Sequence, residues 1–143
     1  MLFSSGDSVL QQIQVALYFL NEDGVLTPEM RTLDIYEGET QSAVLLTALL
    51  AGPKDDELVG IIPEDFQIIS VKVDDGVCRI QLPAAVLRTL PKDEYTQNLI
   101  LWSLAESLYS LDYIQEIRLL TDGKELEKFG SVPVATIGER PQG

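Results

Sequence analysis

The residues best suited to chemistry in this chain are acidic. The segment "PKDDELVGIIPED", residues 53–65, gathers Asp55, Asp56, Glu57, Glu64 and Asp65. Carboxylates hold a divalent cation when several oxygens converge on one point, usually at alternating positions around a central glycine. Here they form two clumps with Leu58, Val59, Ile61 and Ile62 between them. That pattern favours a solvated loop whose apolar residues tuck under the fold. Paired carboxylates also serve as general acid and base where burial drives their proton affinities apart. Asp74-Asp75 and Glu22-Asp23 each run straight into a glycine, as solvated hairpin tips do.

The rest of the inventory excludes more than it offers. Histidine is absent and Cys78 is the sole cysteine, which removes Ser-His and Cys-His nucleophile pairs, His-ligated metals and intrachain disulfides. Cys78 alternates with Val77 and Arg79 in a strand-like run, the setting of a buried, unreactive thiol. No glycine-rich phosphate cradle or nucleophile-elbow pattern occurs. The sequence therefore designates no catalytic residue, no metal site and no cofactor.

Composition narrows the partners. A length of 143 residues with 45% hydrophobic and 23% charged residues suits one globular domain. Ten basic against 23 acidic residues give a formal charge of −13, which repels nucleic acid and anionic membrane surfaces. No run approaches the ~18 apolar residues that would span a bilayer. The opening "MLFSSGDSVLQQ" lacks the positive end and apolar stretch of a secretory signal.

The elements that position these residues follow from periodicity. Residues 1–12 are polar and read as a tail or linker, 13–137 as one domain, and 138–143 as a C-terminal tail. "IQVALYFL" is apolar on both faces, which predicts a strand central in its sheet. "NEDG" turns into "LTPEMRTLDIY", an edge strand because Pro28 cannot donate to a ladder. A helix over "TQSAVLLTALLA" is capped by Thr40, buries a stripe of Val44, Leu45, Ala48 and Leu49, and stops at Gly52-Pro53. "FQIISVKV" and "VCRIQL" form a hairpin about "DDG", "PAAVLRTLP" makes one helical turn, and a long helix covers about Asp93 to Leu111. "IQEIRLLT" is a further strand, and Val132 to Ile137 are partly extended. The order β-β-α-β-β-α-β predicts an α+β two-layer sandwich, with about four to five strands in a mixed sheet and two helices on one face.

The long helix carries the one unusual surface. Leu101, Leu104, Leu108 and Leu111, with Ile100 and Ala105, form its core stripe. On the opposite side Tyr95, Trp102 and Tyr109 recur every seven residues, drifting only about 20° per step. Two readings stand: the ridge is covered by residues 83–92 or the C-terminal tail, or it is an exposed aromatic strip that docks a partner.

In order along the chain, "VALYFLNEDG", "SAVLLTALLAGPKDDEL", "IIPEDFQIISVKVDDGVCRIQL", "LILWSLAESLYSLDYIQEIRLLTDGKEL" and "VPVATIGERP" resemble the GerMN domain. That family occurs in sporulation and spore-germination proteins of the GerM type and in some bacterial lipoproteins, and the likeness spans about residues 15–137. The resemblance implies a non-catalytic, extracytoplasmic domain of the cell envelope, similar in fold to the ring-building motifs of secretion and sporulation channels. It implies protein partners in the envelope, self-association among them, and membrane contact only through an anchor this chain does not carry. Relatives of the GerM type commonly hold two such domains and a lipid anchor. The alternative is a ligand-sensing module that binds a peptide, glycan or ion near the 53–65 loop.

Overall fold

The computed structural model describes residues 9–141. Strand β1 (Val9–Leu20) and strand β2 (Leu26–Tyr36) form a long antiparallel hairpin. Helix α1 (Gln41–Ala51) follows, then the β3 (Ser70–Asp74) and β4 (Val77–Gln81) hairpin and a single turn, α2 (Ala84–Arg88). The long helix α3 (Glu94–Leu108) leads into β5 (Glu116–Thr121). Three two-residue strands close the chain: β6 (Lys124–Glu125), β7 (Lys128–Phe129) and β8 (Val132–Pro133), followed by a 3-10 turn at Val134–Ile137.

The fold is α+β, as expected, but its strands divide between sheets. The order β3-β4-β5-β6 makes a four-stranded mixed sheet, parallel only between β4 and β5. The β1-β2 and β7-β8 pairs stand apart from it. Along β4 and β5, Cys78, Ile80, Ile117 and Leu119 are buried. They alternate with Arg79, which is exposed, and Arg118, which is half-buried. That alternation marks one packed and one wet face.

Among the described residues, strand β1 is not central in a larger sheet. One edge pairs with β2, and α3 takes the place of a strand on the other. There Ser103 Oγ donates to the Tyr18 carbonyl at 2.7 Å, and Tyr18 N–H donates to Ser107 Oγ at 2.9 Å. Leu20 completes that edge by exchanging two 2.9 Å backbone bonds with Val59. Apolar side chains on both strand faces led to the expectation of flanking strands. A helix meets the same backbone demand with hydroxyls.

The helices start and stop where local chemistry dictates. Thr40 accepts from Ala43 N–H at the start of α1, and Gly52 ends it with φ 94°. Its buried stripe is Ser42, Leu45, Leu46 and Leu49, rotated from the predicted one because Val44 and Ala48 are only half-buried. On α3, Ile100, Leu101, Leu104, Ala105 and Leu108 are buried as predicted, with Leu111 just beyond the helix end.

Both expected domain limits move outward. Gln11 and Gln12, assigned to a tail, pair with Ile35 and Asp34. A ladder needs only backbone groups, so polar side chains on a wet face are no obstacle. At the other end Arg140 is built into the fold. Its guanidinium donates to the carbonyls of Tyr109, Ile114 and Leu111 at 2.8, 2.8 and 2.7 Å. Residues 1–8 and 142–143 of the expected tails lie outside the described residues.

Two substitutions test this packing. Ser103→Ala and Ser107→Ala each strand one Tyr18 backbone group, so each should lower the free energy of unfolding by about 1–3 kcal/mol in urea titrations. Gly130 has φ +66°, and a Cβ there would lie 2.5 Å from the amide of Gln97. That amide cannot yield cheaply, because it bonds Pro91 O at 2.8 Å and Ser131 N–H at 2.9 Å. Gly130→Ala should therefore cost about 2–4 kcal/mol. Gly24→Ala, with φ +75° but open space, should cost only about 1–2 kcal/mol.

Candidate functional site

Strand β2 places Glu29 and Arg31 two residues apart, on one face and opposite Leu17 and Val15. Both side chains are only 10% exposed. Their target is the chain just past α1. Arg31 donates from Nε to Glu29 and from Nη2 to the Gly52 carbonyl at 3.1 Å. Glu29 in turn accepts from Lys54 N–H at 3.1 Å and from Asp55 N–H at 2.8 Å. Burial alone would raise the Glu29 carboxyl. The Asp55 and Lys54 N–H groups and the Arg31 guanidinium outweigh it and hold the group below the usual carboxylate range.

The pair thus clamps the first half of the acidic loop, and two further anchors hold the remainder. Leu58 and Phe66 are buried, and Phe66 packs its ring 6.3 Å from that of Phe129. Val59 is bonded through its backbone to Leu20 while its side chain stays exposed. The acids themselves, Asp55, Asp56, Glu57, Glu64 and Asp65, all face solvent. Among the described residues, no three Asp, Glu or Cys side chains gather into a metal-binding cluster. Glu22-Asp23 and Asp74-Asp75 are likewise exposed at hairpin tips.

Cys78 and Arg118 are committed elsewhere. Cys78 is fully buried, and burial pushes its thiol up to about 12. An open groove of about 660 Å³ between β5 and the C-terminal segment is lined by Glu116, Arg118, Glu125 and Glu139. Within it Arg118 is already paired with Glu116 at 3.0 Å and with Glu125 at 2.6 Å.

The aromatic ridge of α3 does not form one surface. Tyr95 is 67% exposed, Trp102 is half-buried against the core, and Tyr109 is 6% exposed. Tyr109 therefore leaves the candidate partner surface. Its hydroxyl donates to the Ile137 carbonyl at 2.7 Å, and the Arg140 guanidinium lies 5.2 Å from its ring centre. Burial raises the phenol despite the opposing charge of Arg140. The C-terminal segment is the cover, one of the two explanations the sequence left open.

Sequence reasoning missed the Glu29–Arg31 clamp. Its signal was present: two opposite charges at strand spacing, on the face that elsewhere carries Val15, Leu17 and Phe19 across the ladder.

The comparisons with known proteins agree with this architecture. The family model described as Germane: Sporulation and spore germination matches residues 16–127. The first GerMN domain of the sporulation protein GerM from Bacillus subtilis superposes with a TM-score of 0.67 at 16% identity, covering 90% of this chain and 98% of that one. The tandem GerMN domains of the same protein give 0.63 at 16% identity, covering 86% of this chain. This chain spans 44% of that tandem structure. A putative lipoprotein from Clostridium perfringens gives 0.55 at 20% identity, covering 86% of this chain and 84% of its own. At these identities the likeness is one of fold. No curated protein sequence matches.

The clamp predicts an acid-sensitive contribution to stability. Glu29 has a folded-state proton affinity below its unfolded value. Its contribution is therefore complete above the unfolded value of about 4.3 and is lost as pH falls through the lower folded value. Glu29→Gln should destabilise the protein at pH 7 by about 1.5–3 kcal/mol. The gap between variant and wild type should shrink below about pH 4 in thermal melts.

Proposed function

We propose that this chain, which belongs to the Germane family of sporulation and spore-germination domains, is a non-catalytic contact domain of the bacterial cell envelope. The observation that carries this reading is where the charges lie. A reactive centre requires ionisable groups that converge in a cleft with perturbed affinities. Here Glu29, Arg31 and Arg140 hold chain segments together, while the carboxylates of the 53–65 loop are solvated. The likeness to a putative lipoprotein supports a membrane-tethered location outside the cytoplasm. The likeness to tandem domains supports work beside another copy of the same fold.

Contact surface is available for such a role. Tyr95 projects from the first turn of α3, with Trp102 two turns further on. Met30, Val59, Ile69 and Tyr113 also expose large apolar side chains. Single exposed apolar residues are ordinary; Tyr95 is the one backed by a second aromatic on its own helix. The sensing alternative finds less support, because the loop it needs is clamped at both ends.

Photo-crosslinking in living cells tests the proposal. A photo-reactive amino acid at Tyr95 or Tyr113 should give discrete adducts with envelope proteins, and one at Glu22 should give none. Absence of adducts at Tyr95, Tyr113 and Met30 together would overturn the contact role.

A further inference from the structure

Near its turn the β1-β2 hairpin has its β1 edge met, whereas no described residue bonds the outward backbone groups of either edge from Gln12 to Ala16 or from Met30 to Asp34. In an antiparallel ladder each residue turns its N–H and C=O to one side and its neighbour turns them to the other. Tyr18 and Leu20 point theirs away from β2, toward the α3 serines and Val59. Their ladder partners Pro28 and Leu26 must therefore point theirs away from β1. Pro28 fits that position, because no β1 group there needs an N–H. The register is unbroken through Ala16↔Met30, Gln14↔Thr32 and Gln12↔Asp34. Met30, Thr32 and Asp34 therefore direct their backbone groups to the outer edge.

Nothing among the described residues pairs with that edge, since β2 has β1 as its sole ladder partner. Natural edges are usually blunted by lysine, proline, bulges or a covering element. Strand β2 has no lysine, its one proline lies toward the turn, and the stretch from Leu26 to Ile35 has no bulge. Met30 is 68% exposed on the wet face of the hairpin, and Thr32 and Asp34 are exposed beside it.

We infer that residues 30–34 of β2 accept an extended strand from a partner protein, with an apolar residue over Met30 and a lysine or arginine over Asp34. Only an extended backbone presents donors and acceptors at the spacing this edge requires. A second copy of this chain is disfavoured by charge, since each copy carries a formal charge of −13. Charge selects the partner: Asp34 and the exposed Glu37 flank the far end, on a chain of formal charge −13. The inference rests on the contact reading above and names one surface for it.

The probe is a capped seven-residue peptide with lysine first and then threonine alternating with valine, so that antiparallel pairing sets lysine over Asp34 and valine over Met30. It is titrated to millimolar concentration against the full chain by NMR. Amide exchange at Met30, Thr32 and Asp34 should be fast in the free protein and slow at least tenfold with peptide. Thr32→Pro, which removes an outward N–H and leaves the β1 ladder intact, should weaken binding at least tenfold. Asp34→Lys should invert the preference between this peptide and one beginning with glutamate. Unchanged exchange at the three amides, or equal affinity for both peptides in wild type and Asp34→Lys, overturns the inference. Crosslinks at Tyr95 or Tyr113 would survive that outcome, so the two readings fail separately.

Discussion

Ser103 and Ser107 lie one turn apart on α3, and their hydroxyls meet the two backbone groups that Tyr18 turns away from β2. A two-stranded hairpin is marginal in water unless something packs on it. These two bonds, with the Leu20–Val59 exchange, hold the hairpin against the helix at a fixed height. Val15, Leu17 and Phe19 are thereby buried against the same core as Leu104 and Leu108. The hairpin face carrying Glu29 and Arg31 is set by the same register. A slip of one residue would send both charges to the wet face and release the loop they clamp.

That dependence explains why the acidic loop looked like a site and is instead a strap. Its conspicuous letters, the carboxylates, are the part that does least in the fold. The atoms that matter are the backbone N–H groups of Lys54 and Asp55 and the Gly52 carbonyl, held by side chains more than twenty residues earlier. Of the four apolar residues between the acids only Leu58 is buried; Ile61 and Ile62 are half-buried, Val59 is exposed, and Phe66 supplies the second anchor.

What could be read from the letters divides by range. The Gly52 helix stop, the Thr40 cap and the leucine stripe of α3 depend on neighbours within a turn or two, and each was legible. The place of β1 was misread because sequence shows which faces of a strand are apolar but not what satisfies its edges; two serines on a helix look like surface residues. The ridge of Tyr95, Trp102 and Tyr109 has sound helical spacing, yet helical phase alone does not say what covers it. The cover comes from Ile137 and Arg140, 28 and 31 residues beyond Tyr109. The Glu29–Arg31 clamp was half legible: the spacing was plain, but its targets were not.

The C-terminal segment extends this argument past the end of the family match. The family match ends at residue 127, yet Phe129, Val132, Val134 and Ile137 are all buried in the common core. Gln97 holds Ser131 by two 2.9 Å bonds, and Arg140 donates to three carbonyls in the turn beyond α3. A guanidinium placed there also brings a positive charge near the negative end of the helix dipole. The folded unit therefore runs to residue 140 in this chain. Because that segment covers Tyr109 and bridges β5 at Glu116↔Glu139, it also removes one aromatic surface and one sheet edge from solvent. What remains open for partners is set as much by this closure as by the helices and strands that precede it.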